Sequence, residues 1–194
     1  YFSKFVKSLD CNEVLLVSGS QKRASLDSLS SLIYLKDNNF FSNNDLSFGI
    51  AFNPYLPNSL FDDEIKRLEK KIKSGLVSSI WFQFGTDHTL LASRIKLIKD
   101  IILSSLKNNP KTSNMRLYGS ILIPSKQFLV RFKYRPWKGV FCSRGFLESV
   151  DFANLIIIKL LKTYNKHKIC PIIETNISTE EELNKLKILE EALN

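Results

Sequence analysis

Residues 79–88 read Ser-Ile-Trp-Phe-Gln-Phe-Gly-Thr-Asp-His. One amide, Gln83, stands among large apolar side chains, and a carboxylate and an imidazole, Asp87 and His88, follow it. A glutamine amide both donates and accepts, so it can match a ring edge that alternates acceptors and donors. Asp87 with His88 has the residue types of an acid–base pair. The same Gly-Thr-Asp also precedes a run of helical periodicity, where Asp87 serves as the helix cap, and that is the reading expected here. The chain has two histidines. The other, His167 between Lys166 and Lys168, suits the end of a helix, where a cation meets the negative end of the dipole. The three cysteines, Cys11, Cys142 and Cys170, are far apart and have no metal-ligand spacing. They read as reduced thiols of a cytoplasmic protein, and no metal site is expected.

Five β-type runs could carry these groups: 13–18, 46–52, 79–84, 117–123 and 169–174. They are mostly continuous in apolar character, as strands buried on both faces are. Helical periodicity lies between them. Residues 62–74 place Ile65, Leu68 and Ile72 on one stripe, with acids at the start and Gly75 at the end. Residues 89–107 carry Leu90, Leu91, Ile95, Ile98, Ile101, Ile102 and Leu106 at helical spacing. Residues 148–163 and 179–192 read the same way, the last with Ser178 and Glu181 as a capping box.

Strand–helix alternation implies right-handed βαβ units and a parallel sheet. No Gly-x-Gly-x-x-Gly and no Walker loop follows a strand, which argues against phosphate-loop nucleotide folds. A whole (β/α)8 barrel takes about 250 residues. The expectation for these 194 residues is therefore one α/β domain, 1–194, that forms a parallel (β/α)8 TIM-type barrel incomplete at its start, about strands four to eight.

At 44% hydrophobic and 24% charged residues, the composition is that of a globular domain with a sizeable core. No run approaches the ~18 apolar residues of a membrane span, so no membrane partner is expected. The first residues, Tyr-Phe-Ser-Lys-Phe-Val-Lys, lack the pattern of a signal peptide and suggest a fragment or processed chain. The net charge is +9, but its lysines are spread through every helical segment, so nucleic acid is not the expected partner. Residues 131–138, Arg-Phe-Lys-Tyr-Arg-Pro-Trp-Lys, interleave cations with aromatics. That pattern suits either an anionic partner or an exposed helix end with snorkelling side chains. A homo-oligomer is left open.

In parallel α/β folds the chemistry sits at the C-terminal ends of strands. The exits here are 17–23, 51–58, 83–87, 123–127 and 173–176. They are rich in amides and hydroxyls, with Lys22, Arg23 and Lys126 as cations and Asp87 and Glu174 as the carboxylates. A polar ligand with an anionic or ring-amide part fits them. The Ser18-Gly-Ser20 turn could cradle a phosphate or be an ordinary strand–helix turn.

The stretches Gly49-Ile-Ala-Phe-Asn-Pro-Tyr-Leu-Pro57, Leu68-Glu-Lys-Lys-Ile-Lys-Ser-Gly75 and Ile80-Trp-Phe-Gln-Phe-Gly-Thr-Asp87 resemble the methylenetetrahydrofolate reductase family in order and spacing. Residues 121–132 and 139–141 are similar to a later region of that family, and Pro171–Asn176 falls at its last strand end. The resemblance implies a barrel and a flavin-dependent oxidoreductase of one-carbon metabolism, with FAD as cofactor, NAD(P)H as reductant and a folate as substrate. By position, Gln83 resembles the glutamine that bonds the folate pterin. Phe128 resembles the aromatic that packs on folate or nicotinamide. Lys71 resembles the lysine near the flavin's phosphate or ribityl arm, and Ser20 and Ala51 fall at strand ends that meet the flavin. The chain departs from the family at Ser20, where an aspartate is expected, and at Leu56, where a histidine is expected. The family's catalytic glutamate belongs to a first strand outside this sequence. These departures motivate an alternative, a non-catalytic barrel relative that binds a folate-like ligand or a partner protein.

Overall fold

A computed structural model describes residues 5–6, 8–18, 27–38, 46–106 and 114–174, with 179–180, 183–184 and 186–187 near the C-terminus. Most of the expected helix 179–192 lies outside the described residues. In chain order the elements are β1 (Glu13–Leu16), α1 (Ser28–Asp37), β2 (Ser47–Phe52), α2 (Asn58–Lys73), β3 (Val77–Phe82), α3 (His88–Leu106), β4 (Arg116–Ile121), α4 (Lys126–Tyr134), α5 (Val150–His167) and β5 (Cys170–Ile173). The strands form one parallel sheet in the order β1-β2-β3-β4-β5. Glu13 pairs with Ser47 at the β1–β2 step, and Tyr118 pairs with Cys170 at the β4–β5 step. The expected α/β class and parallel sheet are present. Among the described residues no helix is long and apolar enough to cross a membrane.

The chain divides into two compact units, one drawn from 1–52, 58–81 and 97–116 and the other from 53–57, 82–96 and 117–194. In the first, Leu32 of α1, Phe48, Ile50 and Phe52 of β2, Leu68 and Ile72 of α2 and Ile80 of β3 are buried. α2 begins at Asn58, earlier than its acidic residues suggested, so those acids lie beyond its first turn. It ends at Lys73, and Gly75 two residues on turns the chain away with a φ of +80°, the left-handed conformation that a glycine adopts without strain. Asp27 caps α1, its Oδ1 accepting from the amides of Leu29 (2.9 Å) and Ser30 (2.8 Å).

In the second unit, α5 buries Ala153, Ile157, Leu160, Leu161 and Tyr164, positions three or four apart that make one apolar face. Ser149 caps its start by accepting from the Phe152 amide (3.2 Å), which shortens the expected helix by two residues at that end. Lys168 closes it in the left-handed conformation (φ +56°), its amide bonded to the carbonyls of Tyr164 and Asn165. His167 lies in the last turn, at the helix end where it was expected.

Tyr164 shapes the packing on β4. Its ring lies where a side chain at Gly119 would project, 2.3 Å from the position of an added Cβ, and its hydroxyl donates to the Ser120 carbonyl (3.1 Å). Gly119→Ala would push a methyl group into a rigid, fully buried ring. We expect that variant to lose about 1–3 kcal/mol of unfolding free energy, read from its denaturant midpoint. An unchanged midpoint would mean that the Tyr164 ring is not held against β4.

Candidate functional site

The exits of β2 and β3 meet in the second unit. Residues 53–57 leave β2 and are held there by four hydrogen bonds. Asn53 donates from Nδ2 to the Gly139 carbonyl (2.8 Å) while its Oδ1 accepts from the Tyr55 amide (3.0 Å). Arg94 of α3, 7% exposed, donates from Nη1 to the carbonyls of Pro54 (2.6 Å) and Leu56 (2.7 Å). The Tyr55 ring then lies directly over Gly85, where a Cβ would sit 2.3 Å from it. Any side chain at position 85 would displace this tyrosine.

A second segment joins from the other side. Phe141 forms an isolated parallel bridge with Gly85. The Thr86 amide donates to the Phe141 carbonyl (3.0 Å), and the Thr86 hydroxyl accepts from the Ser143 amide (2.7 Å). Thr86 is buried, so these bonds satisfy a hydroxyl that would otherwise be costly to bury.

Between these segments and α4 opens a cleft of about 560 Å³, within the ~300–1,000 Å³ range of small-molecule sites. Tyr55, Leu90, Phe132, Pro136, Val140 and Phe141 give it apolar walls, and Thr86, Asp87, Lys133 and Ser143 are its polar groups. Such a surface suits a flat ring system with a few hydrogen-bonding edges and a negative charge within reach of Lys133. Cys142 also lines it. Burial pushes that thiol up to about 12, so it stays protonated and is a poor nucleophile at neutral pH. The Tyr55 hydroxyl is buried with no hydrogen-bond partner. Its acidity is suppressed first by burial and then by the oxygen of Tyr164. Neither group is poised to act as a base.

Asp87 has the expected capping role. Its Oδ1 accepts from the amides of Thr89 (3.1 Å) and Leu90 (2.9 Å) and from the Thr89 hydroxyl (2.7 Å). Burial raises its pKa, but the bonds from Leu90 and Thr89 and the neighbouring His88 outweigh that and hold it below the ordinary 3.8. His88 is the first residue of α3.

Gln83 is exposed and lies just past the end of β3, which finishes at Phe82 rather than at residue 84. It belongs to the second unit but does not line the cleft. Phe128, in the same unit, is half-buried in the first turn of α4. Its ring meets Phe132 at 5.7 Å, Trp137 at 5.5 Å and Phe146 at 6.4 Å between centroids, so it is part of an aromatic cluster. Ala51 and Lys71 belong to the first unit. Ala51 is half-buried in β2. Lys71, 4% exposed on α2, has its pKa lowered first by burial, with Glu64 and Asp27 acting against that shift and Arg67 adding to it. Ser20, with Lys22 and Arg23, lies outside the described residues. Ser18 turns its hydroxyl to accept from the amide of Ser28 (2.9 Å). Among the described residues no cluster of three or more metal-ligating side chains occurs.

No protein-family model matches the chain, and no curated protein matches it. Among solved structures the fold is similar to that of an uncharacterized protein from Clostridium thermocellum that binds two copies of 5-methyl-5,6,7,8-tetrahydrofolic acid. The TM-score is 0.56 at 15% identity, over 91% of this chain and 60% of that one.

The cap separates the two roles open to Asp87. Asparagine caps nearly as well as aspartate, whereas alanine costs about 1 kcal/mol. We expect Asp87→Ala to lower stability by about that amount at pH 7 and Asp87→Asn to lower it by a few tenths. Because the folded-state pKa is depressed, the carboxylate's contribution is present above about pH 3.8 and is lost as pH falls through the folded value. The gap between wild type and Asp87→Asn should close in acid. Urea titrations from pH 7 to pH 3 read both effects, and an Asp87→Ala variant as stable as wild type would contradict the cap.

Proposed function

We propose that this protein binds a reduced folate, with the pteridine ring in the cleft bounded by Tyr55, Thr86, Asp87, Phe132 and Phe141. The observation that carries the reading is the fold shared with a protein described as binding 5-methyltetrahydrofolate. The cleft supports it chemically. Its aromatic and aliphatic walls suit a flat ring, and Thr86, Asp87 and Ser143 supply hydroxyl and carboxylate partners for ring nitrogens and their substituents. Gln83, two residues before Gly85, is the amide that the family resemblance assigns to the pterin; it lies outside the cleft lining, and in this proposal it meets a part of the ligand that extends beyond that lining.

The same reading takes the five-stranded sheet as part of a (β/α)8 barrel, about strands four to eight. The chain spans 60% of the length of its structural neighbour.

A flavin-dependent reductase is the narrower proposal, motivated by the ordered motifs of residues 49–57, 68–75 and 80–87. Of the residues that the resemblance assigns to the flavin, Ser20 lies outside the described residues. Ala51 is a small side chain, and Lys71 is buried beside Asp27, Glu64 and Arg67. No hydride step is assigned to this chain, and folate binding is the reading that the shared fold supports best. Flavin absorbance in the purified protein, or after addition of FAD, would restore the reductase reading.

Calorimetric titration with 5-methyltetrahydrofolate should show saturable binding. Phe141 is 37% exposed, and its bridge to Gly85 is made by the backbone. Phe141→Ala should therefore weaken binding about tenfold, the loss of one aromatic wall, with little change in melting temperature. Gln83→Ala should weaken it by a smaller factor. A wild-type protein that takes up no folate overturns the proposal, and unchanged affinity in Phe141→Ala removes the ring from the cleft.

A further inference from the structure

α4 buries Leu129 and Phe132 and half-buries Phe128, so its opposite face meets water. Each residue turns the helix by about 100°, which puts Val130 and Tyr134 near the middle of that open face, about 40° apart. Lys126 and Lys133 flank them on one side and Arg131 on the other. The centre of a solvent-facing helix surface is ordinarily polar. Here it holds a valine and a tyrosine, 54% and 83% exposed. Trp137, just past the helix, is a third large side chain in the open, at 53%.

The same stretch carries an unbalanced charge. The sequence holds no aspartate or glutamate between Asp100 and Glu148. Lys126, Arg131, Lys133, Arg135, Lys138 and Arg144 lie on α4 or in the loop after it, and all are exposed. The ion pairs found among the described residues use other cations. Such a concentration of like charge is unfavourable to itself and favourable to an anionic surface. On the face itself, Lys126, Gln127, Val130 and Arg131 line a shallow groove of about 430 Å³.

Two anionic surfaces compete for this face, a nucleic acid and a lipid bilayer. Single-stranded nucleic acid needs successive free ring faces for stacking. Trp137 already meets Phe128 at 5.5 Å and Phe132 at 6.1 Å edge-on, which leaves Tyr134 as one platform rather than a row. Val130, in the middle of the face, can bond neither a phosphate nor a base edge. A bilayer surface uses every group present. Tyrosine and tryptophan settle at the headgroup level, with the ring body in apolar surroundings and the polar tip in water. An aliphatic side chain between them reaches the acyl boundary. Lysine and arginine lay their stems along apolar surface and keep their charged ends among the headgroups. A cluster of about four to eight such cations on an amphipathic helix is what anionic lipid attracts.

We propose that this face of α4, together with Trp137, docks reversibly on an anionic lipid bilayer. Val130, Tyr134 and Trp137 enter the headgroup layer, and Lys126, Arg131, Arg135 and Lys138 meet the lipid phosphates and carboxylates around them. The contact is peripheral and needs no spanning helix. Lys133 belongs to one flank of the face and also lines the cleft, so the cleft lies beside the bilayer in the docked state. The inference does not depend on which ligand the cleft takes.

Co-sedimentation of the full chain with lipid vesicles tests this. Vesicles of phosphatidylcholine and phosphatidylserine in equal parts should carry the protein down at low ionic strength, and added salt should release it. Vesicles of phosphatidylcholine alone should leave it in solution. Each cation near an anionic surface is worth about fivefold in partitioning, so the triple variant Lys126→Gln, Arg131→Gln, Arg135→Gln should bind about a hundredfold more weakly. All three side chains are exposed and none lines the cleft, so the fold and the cleft are left as they are. Tyr134→Ser should weaken binding several-fold without altering the charge. Trp137 gives a direct reading of position. Its emission should move to shorter wavelength on the mixed vesicles, whereas a Trp137→Phe variant, which keeps Trp81, should show no such change. Failure to sediment with the mixed vesicles at low salt overturns the inference. A bound protein with unshifted Trp137 emission, or a triple variant that binds as wild type does, overturns it equally. A single-stranded oligonucleotide that strips the protein from the vesicles at a phosphate concentration equal to that of the lipid reassigns the surface to nucleic acid.

Discussion

A single buried guanidinium organises the exits of the second unit. Arg94 is almost wholly removed from water, and a charge in that position must be matched by hydrogen bonds. It finds them in the carbonyls of Pro54 and Leu56, on either side of Tyr55. The chain leaving β2 therefore has a fixed path, and Tyr55 is presented to Gly85. The absence of a side chain at Gly85 lets that ring approach. The strand-like pairing of Thr86 with Phe141 and Ser143 completes the frame. The cleft walls depend on these contacts in sequence, from a charge to a loop, from the loop to a ring, and from the ring to a glycine.

Burial and helix capping set the state of the titratable groups in the cleft. The acidic hydroxyl and thiol groups near the cleft, Tyr55 and Cys142, are held in their neutral forms by burial. The carboxylate, Asp87, spends one oxygen on the helix start. What remains for a ligand is shape, apolar wall, a few hydroxyl and carboxylate edges, and a strongly cationic rim. Such a surface can orient and retain a flat ring.

The element order was readable because it rests on local patterns. Continuous apolar runs marked the strands, three-and-four spacing marked the helices, and Asp87 and His167 were recognisable as residues of helix ends. Boundaries moved where local signals were ambiguous. β3 runs from Val77 to Phe82, so Gln83 falls just past its end, and α2 starts at Asn58. The cleft was not readable. Its walls come from residues 55, 86–90 and 132–147, and only the folded chain brings them together. Arg94 carried one overlooked signal. It lies three residues after Leu91 and four before Ile98, so a cation interrupts an apolar stripe, which marks a buried charge with a specific partner. Of the residues proposed for the ligand from the family resemblance, Gln83 is exposed at a strand exit and Phe128 is engaged with three other rings. Both placements depend on tertiary contacts that spacing does not encode.

A reduced folate in the cleft would shield the backbone segments that form its walls. Backbone hydrogen exchange with and without 5-methyltetrahydrofolate tests it most directly, because it reports position as well as binding. Exchange should slow in 53–57, 84–91 and 132–147, with the rest of the chain little changed. Binding that leaves those three segments unprotected, or protection confined to residues around Lys71 and Ala51, would contradict it.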